Sequence, residues 1–388
     1  MTKLYTIILT MVVLLITACN SHSDIDEVVE EGNAVYLQTT ATFGENTQSG
    51  KAATRAHWQS NRKFMWDENS KQMAVLIANT GTDVVPWGNN GYSYVTVKKM
   101  ADTEEGKSQA SLKSNSGILK SDLDKLHIGT TPVYFFSPLS TSNGTNSTYS
   151  AIDKCVTFSL PNVFSQSTTG KLDEFAPYTY IYAPSLISSV SKSTIEAYPS
   201  VFKGVPAVIH FHIVNEKNSQ IKIKKVGIEL SLGGFPKTMV MDPIGGSLRP
   251  KGWETNSIET YPTVTTNLGV SNAGDMVGEQ ADYYIYVFPT AAISGEEIVS
   301  SPFFPATGKF TLRIYEDEGK TPTPENLDNP ENLTVYSTDL IDRMPFLSNH
   351  IYTCNLRVLD TSLSLLLDEI EVQPITEWQA GVSGTVNW

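Results

Sequence analysis

Asn33-Ala34-Val35-Tyr36-Leu37-Gln38-Thr39-Thr40-Ala41-Thr42-Phe43 is the stretch on which the fold turns. Val35, Leu37, Ala41 and Phe43 fall on one face, and Tyr36, Gln38, Thr40 and Thr42 on the other. Alternation of that period marks a half-buried β-strand, because successive side chains of an extended chain point to opposite faces. Outward from it, short runs rich in Val, Ile, Tyr, Phe and Thr recur at 72–78, 93–100, 132–136, 154–160 and 178–183. They resume at 207–214, 220–232, 281–288, 310–315 and 350–358. Gly, Asn, Ser and Pro separate the runs and helical periodicity is almost absent, which is the all-β pattern. A Ser-rich stretch from Ser185 to Ser200 interrupts the series, and a domain boundary between 195 and 196 is expected there. Asp102 to Ser116 and Asp317 to Asn332 read as loops or short irregular pieces. Two antiparallel β-sandwiches in tandem fit the strand count and spacing.

Upstream, an apolar stretch from Leu4 follows Lys3 and closes on Ile16-Thr17-Ala18-Cys19. A charged start, a short apolar core and small residues before a cut make a secretory signal peptide over residues 1–18. The apolar run is roughly fifteen residues, short of the ~20 that a bilayer-spanning helix needs. The tetrapeptide resembles the bacterial lipobox, in which cleavage between Ala18 and Cys19 leaves an N-terminal Cys19 to receive lipid. An ordinary signal peptide with a chance cysteine is the alternative. Residues 19–32 are polar and acidic and read as a tether. More than one acyl chain gives stable anchoring, at roughly 0.8 kcal/mol per buried methylene.

The chain has 388 residues, room for two ordinary domains, and a formal net charge of -13. That balance disfavours nucleic acid and anionic lipid, which need a basic footprint. Of the three cysteines, Cys155 and Cys354 lie far apart in strand-like runs and form neither a disulfide framework nor a zinc pattern. They read as two buried small hydrophobes, although an exported compartment permits a bond. Asn143-Gly144-Thr145, Asn146-Ser147-Thr148 and Asn332-Leu333-Thr334 match the sequon pattern and read as turn chemistry.

No constellation supports catalysis. There is no Gly-x-Ser-x-Gly elbow, phosphate-binding Gly loop or His-Glu-x-x-His, and Gly381-Val382-Ser383-Gly384 lacks the elbow's spacing. Six histidines include one close pair, His210 and His212, which share a face if the segment is a strand. With no Asp, Glu or third His beside them in sequence, they read as a structural pair, so neither metal nor cofactor is expected. The acidic groups Asp24/Asp26 and Glu316/Asp317/Glu318 lack calcium-loop spacing and read as solvated charge.

Several stretches resemble the fimbrillin family, the lipoprotein-derived subunits of bacterial surface pili. They are Ala53-Thr54-Arg55-Ala56 followed by Trp66-Asp67 and Met73-Ala74-Val75-Leu76-Ile77, then Val133-Tyr134-Phe135-Phe136-Ser137-Pro138 and Tyr180-Ile181-Tyr182-Ala183. Phe211-His212-Ile213 follows, with Ile221-Lys222-Ile223 and Val226-Gly227-Ile228, and the series ends on Asn349-His350-Ile351-Tyr352 and Ile375-Thr376-Glu377-Trp378. Together they span nearly the whole mature chain. One departure is that Lys71-Gln72 intervenes between the polar pair after Trp66 and the apolar strand.

The resemblance implies two transthyretin-like β-sandwiches, residues 56–195 and 196–388, behind a strand and propeptide at 33–55. It implies that an arginine-specific protease cuts between Arg55 and Ala56, with Arg62 and Lys51 as nearby alternatives. Release of the first strand, with its Val35, Leu37, Ala41 and Phe43, would uncover a groove for a terminal strand of another subunit. The tail offers Trp378, Ala380, Val382, Val386 and Trp388 alternating with polar or small residues. Four or five such side chains are worth roughly 1.5–3 kcal/mol each before ordering costs. The same alternation suits a last strand that completes its own sandwich. Leu363-Ser364-Leu365-Leu366-Leu367 reads as either a fixed strand or a further donor. The implied partners are other fimbrial subunits, with the outer membrane held through lipid until cleavage. Two other readings stay open: an anchoring subunit that keeps its lipid, and a surface glycan-binding lipoprotein using Trp87, Trp253 and Tyr261.

Overall fold

The alternating runs pair into sheets. The computed structural model describes residues 33–43, 57–58, 64–65, 73–78, 87–88, 91–100, 109–139, 147–151, 153–166, 178–230, 235–242, 247–255, 257–262, 266–268, 279–294, 297–300, 310–317, 333–340, 346–359 and 365–374. Among them, regular structure is strand apart from a short 3-10 turn at Lys120–Lys125, and no helix is long and apolar enough to cross a membrane.

The first large sheet runs Ile195–Ala197, Ile181–Val190, Ser200–Gly204, Leu37–Phe43, Ala110–Ser114, Tyr92–Lys99, Ala74–Ile77, Pro132–Ser137. Ile181–Val190 also pairs antiparallel with Pro132–Ser137, from Ile181↔Ser137 to Leu186↔Pro132, so the sheet closes on itself. Closure leaves inward side chains nothing to face but one another, and Val75, Val133, Phe135, Ile187 and Phe202 are buried there.

Later strands build a five-strand path, Val163–Gln166, Ser257–Pro262, Ile221–Leu230, Phe310–Asp317, Leu333–Asp339, with Thr266–Leu268 also on Ile221–Leu230. Opposite lies Gln280–Val287, Ala207–Asn215, His350–Val358, Leu365–Pro374. Phe346 joins the two layers, its ring 5.0 Å from Phe310 and 5.1 Å from Tyr352. Gln166 spans them as well: its side chain accepts from the Tyr284 N–H at 2.8 Å and donates to the Asp282 carbonyl at 2.9 Å. A fourth sheet orders Ser147–Ser150, Cys155–Ser159, Phe235–Asp242 and Ser247–Thr255.

Strands on either side of 195/196 share sheets. Ser200–Gly204 lies beside Leu37–Phe43 in the first sheet, and Cys155–Ser159 pairs with Phe235–Asp242. Division of the sequence at that point and division into sheets are therefore different things. Near it, the Asn349 side chain accepts the Gly204 N–H at 2.7 Å, and Ser348 Oγ donates to the Gly204 and Val205 carbonyls.

Two expectations are corrected. The Ser-rich stretch is not a break: Ile181–Val190 runs through Ser185 and turns back into Ile195–Ala197. Its serines are turn and strand residues at once. Ser191 Oγ accepts the Thr194 N–H at 2.9 Å and donates to the Thr194 carbonyl, which closes the hairpin. Likewise, the expected loop from Asp102 to Ser116 contains the strand Ala110–Ser114, whose Ala110, Leu112 and Ser114 point inward. Only two of those inward residues are apolar, so the alternation was masked by Ser and Lys.

Candidate functional site

The first strand fills a slot. Ala34–Val35 pairs with Ile118–Leu119, and Leu37–Phe43 then runs antiparallel to Ala110–Ser114 from Gln38↔Lys113 to Ala41↔Ala110. On its other side two short parallel pieces meet it: Ile195↔Leu37 with Glu196↔Gln38, then Ser200↔Ala41 to Phe202↔Phe43. The walls come from residues that follow it by a long stretch of chain, so its neighbours on both sides are non-local.

Its inward face is Val35, Leu37, Thr39 and Ala41, all buried, while Gln38 is exposed. Val35 and Leu37, each 1% exposed, are worth roughly 1.5–3 kcal/mol apiece on burial. Thr39 carries its hydroxyl into the same slot and spends it on backbone, at 3.1 Å from the Ala197 carbonyl and 2.9 Å from that of Tyr198. On the opposite wall Ser114 Oγ accepts the Leu37 N–H at 3.0 Å and donates to the Ser116 carbonyl. Outside, Lys113 Nζ lies 4.8 Å from the Tyr36 ring centroid. Gly117 lets the strand in: a Cβ there would stand 2.6 Å from the Ala34 Cβ and 3.4 Å from the Val35 nitrogen.

Of the residues expected to matter, Val35, Leu37 and Ala41 lie side by side in this slot; the Phe43 backbone pairs with Phe202, and its side chain lies outside the described residues. Ala18, Cys19, Arg55, Ala56 and the tail residues Trp378, Ala380, Val382, Val386 and Trp388 also lie outside them. Thr39, Ser114 and Gly117 were missed as slot residues. Leu365 opens a strand, Leu365–Pro374, paired antiparallel with His350–Val358 in its own chain.

Among the sugar-stacking candidates, Trp87 is 4% exposed and donates from Nε1 to the Ser116 carbonyl at 3.0 Å, so it is core rather than platform. Trp253 and Tyr261 sit in Ser247–Thr255 and Ser257–Pro262, their side chains outside the described residues. Cys155 and Cys354 are free and buried, and burial pushes the Cys354 thiol up to about 12. Glu316 is not solvated: it is buried, accepting from Lys217 Nζ at 3.2 Å and from the Tyr336 hydroxyl at 2.6 Å.

A second polar cluster lies on the sheet of Ala207–Asn215. Cross-strand register sets Asp282 opposite His212 and Tyr284 opposite His210. Asp282 Oδ1 is 2.8 Å from His210 Nε2 and 2.9 Å from His212 Nδ1. The sequence reading found no third group for the histidine pair; strand pairing supplies one from far along the chain. Burial on its own would raise the Asp282 pKa, but hydrogen bonds and charge from His210 and His212 outweigh it and hold the carboxyl well below the usual range.

No protein-family model and no curated protein sequence matches this chain. Solved structures that it resembles are fimbrial and adhesion-related proteins of Bacteroides, Parabacteroides and Porphyromonas. One from Bacteroides uniformis, provisionally described as a cell adhesion protein, is 11% identical with a TM-score of 0.43, over 89% of this chain and 100% of that one. A fimbrial protein from Bacteroides vulgatus is 10% identical at 0.35, over 89% and 100%. A tip fimbrial protein from Porphyromonas gingivalis is 12% identical at 0.32, over 87% and 97%.

Proposed function

We propose that this chain is a structural subunit of a cell-surface fimbrium, in the shaft or at the tip, that polymerises by β-strand exchange. The observation that supports the reading most is the separable first strand, seated between Ala110–Ser114 and the pieces Ile195–Ala197 and Ser200–Gly204. Taking it out would free backbone donors and acceptors on both walls and empty the places of Val35, Leu37 and Ala41. An extended strand from another subunit meets those needs, with main-chain hydrogen bonds for affinity and alternate side chains for register.

On this reading the precursor is exported as an outer-membrane lipoprotein tethered through Cys19, and an arginine-specific cut between Arg55 and Ala56 releases the plug. The donor is Trp378 to Trp388, presenting Trp378, Ala380, Val382, Val386 and Trp388 to the emptied slot. The sheets are then read as two transthyretin-like sandwiches in tandem, with the first sheet including the plug until cleavage. A lipid-retaining anchor of the same fibre is the second reading. It shares the seated strand and differs only in never losing it.

The test is N-terminal sequencing of protein sheared from cells, beside an Arg55→Ala/Arg62→Ala double variant. A start at Ala56, and full-length unpolymerised precursor in the variant, are the expected results. Polymer assembled normally from the double variant would overturn arginine cleavage as the trigger. A blocked, acylated Cys19 on the assembled protein would favour the anchor.

A further inference from the structure

We propose that His210, His212 and Asp282 form a binding site for a divalent transition-metal cation of the zinc class. The proposal is independent of the fimbrial reading. The three ligand atoms, His210 Nε2, His212 Nδ1 and Asp282 Oδ1, all lie within 4.8 Å of one another, and both imidazole nitrogens converge on one carboxylate oxygen. Imidazole with one carboxylate suits zinc and its neighbours rather than magnesium or calcium, which prefer oxygen alone.

The ring of His210 is positioned before any ion arrives. Tyr284 stacks on it at 4.5 Å and 13°, and Thr353 Oγ1 lies 3.2 Å from Nδ1. Thr353 on Nδ1 turns the ring so that Nε2 faces the site and Asp282 Oδ1, the arrangement by which an outer hydrogen bond orients a ligand ring. Asp282 is steadied through its backbone: Gln166, fully buried, binds its carbonyl and the N–H of Tyr284. His210 is nearly closed off at 2% side-chain exposure, whereas His212 at 29% and Asp282 at 38% open to solvent. An ion therefore has an entry path and a side left for water as a further ligand.

Ligands about 2.0–2.1 Å from a tetrahedral ion stand about 3.3 Å apart. The two nitrogen–oxygen distances of 2.8 and 2.9 Å are those of hydrogen bonds, so loading requires the ring protons in them to leave to solvent and the carboxylate to withdraw by a few tenths of an ångström. Half-exposed Asp282 can do this by side-chain rotation while Gln166 keeps its backbone in place. A bound ion would then fasten the edge strand Gln280–Val287 to Ala207–Asn215.

The experiment is calorimetric titration of the chelator-stripped full chain with zinc chloride, alongside its melting temperature with and without the metal. The wild type is expected to take up one equivalent at this site and to melt higher when loaded, as any ligand of the native state requires. Asp282→Asn and His212→Gln, both at half-exposed positions, should each weaken that uptake at least tenfold and abolish the rise in melting temperature. His210→Gln is left aside because its ring is buried. Far-ultraviolet circular dichroism of the two variants checks that they are folded. Zinc uptake by the wild type no greater than by the folded variants, or a rise in melting temperature that survives in them, would overturn the proposal.

Discussion

The strands Leu37–Phe43 and Ala207–Asn215 each pair antiparallel on one side and parallel on the other, yet they are held very differently. Ala207–Asn215 pairs without interruption on both sides, from Ala207↔Val287 to Val214↔Gln280 and from Val208↔Ile351 to Asn215↔Val358. Leu37–Phe43 has its parallel side split between Ile195–Ala197 and Ser200–Gly204, with Thr39 bridging the gap by its side chain. Leu37 and Phe211 are equally buried, each at 1% or less, but Ala207–Asn215 is buried on both faces whereas Leu37–Phe43 leaves Gln38 exposed. The hydrogen-bond ladder differs in the same sense, and local opening follows few buried contacts together with exposed or interrupted ladders. One strand is a fixture and the other, on the proposed reading, is an insert.

The largest effect tests the fixture. Phe211→Ala removes a fully buried ring and should cost about 3–5 kcal/mol, with the loss seen in a single cooperative melt. A melt that left Ala207–Asn215 unaffected would break the contrast. Next comes Gly117→Val, which places atoms where Ala34 already sits and should cost about 1–3 kcal/mol by overpacking. Amide hydrogen exchange is expected to accelerate across 33–43 and to stay slow across 207–215. Equal acceleration in both segments would mean that the first strand is no insert.

Thr39→Val keeps the shape but leaves the Ala197 and Tyr198 carbonyls without the hydroxyl, at a cost of about 1–2 kcal/mol. Exchange should speed up at 37–43 alone, in the sense of Gly117→Val but less. The smallest effect concerns Lys217 beside the fixture. Burial would lower its pKa, but hydrogen bonds to Tyr336 and Glu316 outweigh that and raise it. A raised value means that the stabilisation is complete below the ordinary 10.5 and is lost as pH climbs through the folded value. Melting temperature should fall at strongly alkaline pH by about 2–4 °C more in the wild type than in Lys217→Met/Glu316→Gln. Identical alkaline slopes would remove the pair from the account.

How much of this was legible in the sequence depends on the residue. Val35, Leu37 and Ala41 declared themselves because alternation is local, and their burial follows it. Thr39 sits in the same row, but its polarity hid it; only the neighbouring carbonyls reveal what its hydroxyl is for. Ala110–Ser114 was read as loop because a strand that carries Ser and Lys outward and Ala inward has little apolar contrast. The serine hairpin at Ser191 failed for a related reason, since one residue type served both turn and strand. Asp282 could not be reached at all. Its place beside His212 is set by register between distant strands, which no single-segment pattern encodes.

The seating of the first strand also has a consequence in time. Leu37–Phe43 is synthesised early, but its parallel wall is Ile195–Ala197 and Ser200–Gly204, so it must wait for chain made much later. Closing so long a loop is entropically costly and slow, and non-local pairings lengthen folding times over local ones. Until then the parallel side of an alternating apolar ribbon stands open, the condition under which nascent β-chains associate wrongly. A segment whose parallel neighbours arrive so much later is thus open on one side at first, and safe passage depends on something holding that side apart until Gly204 has emerged.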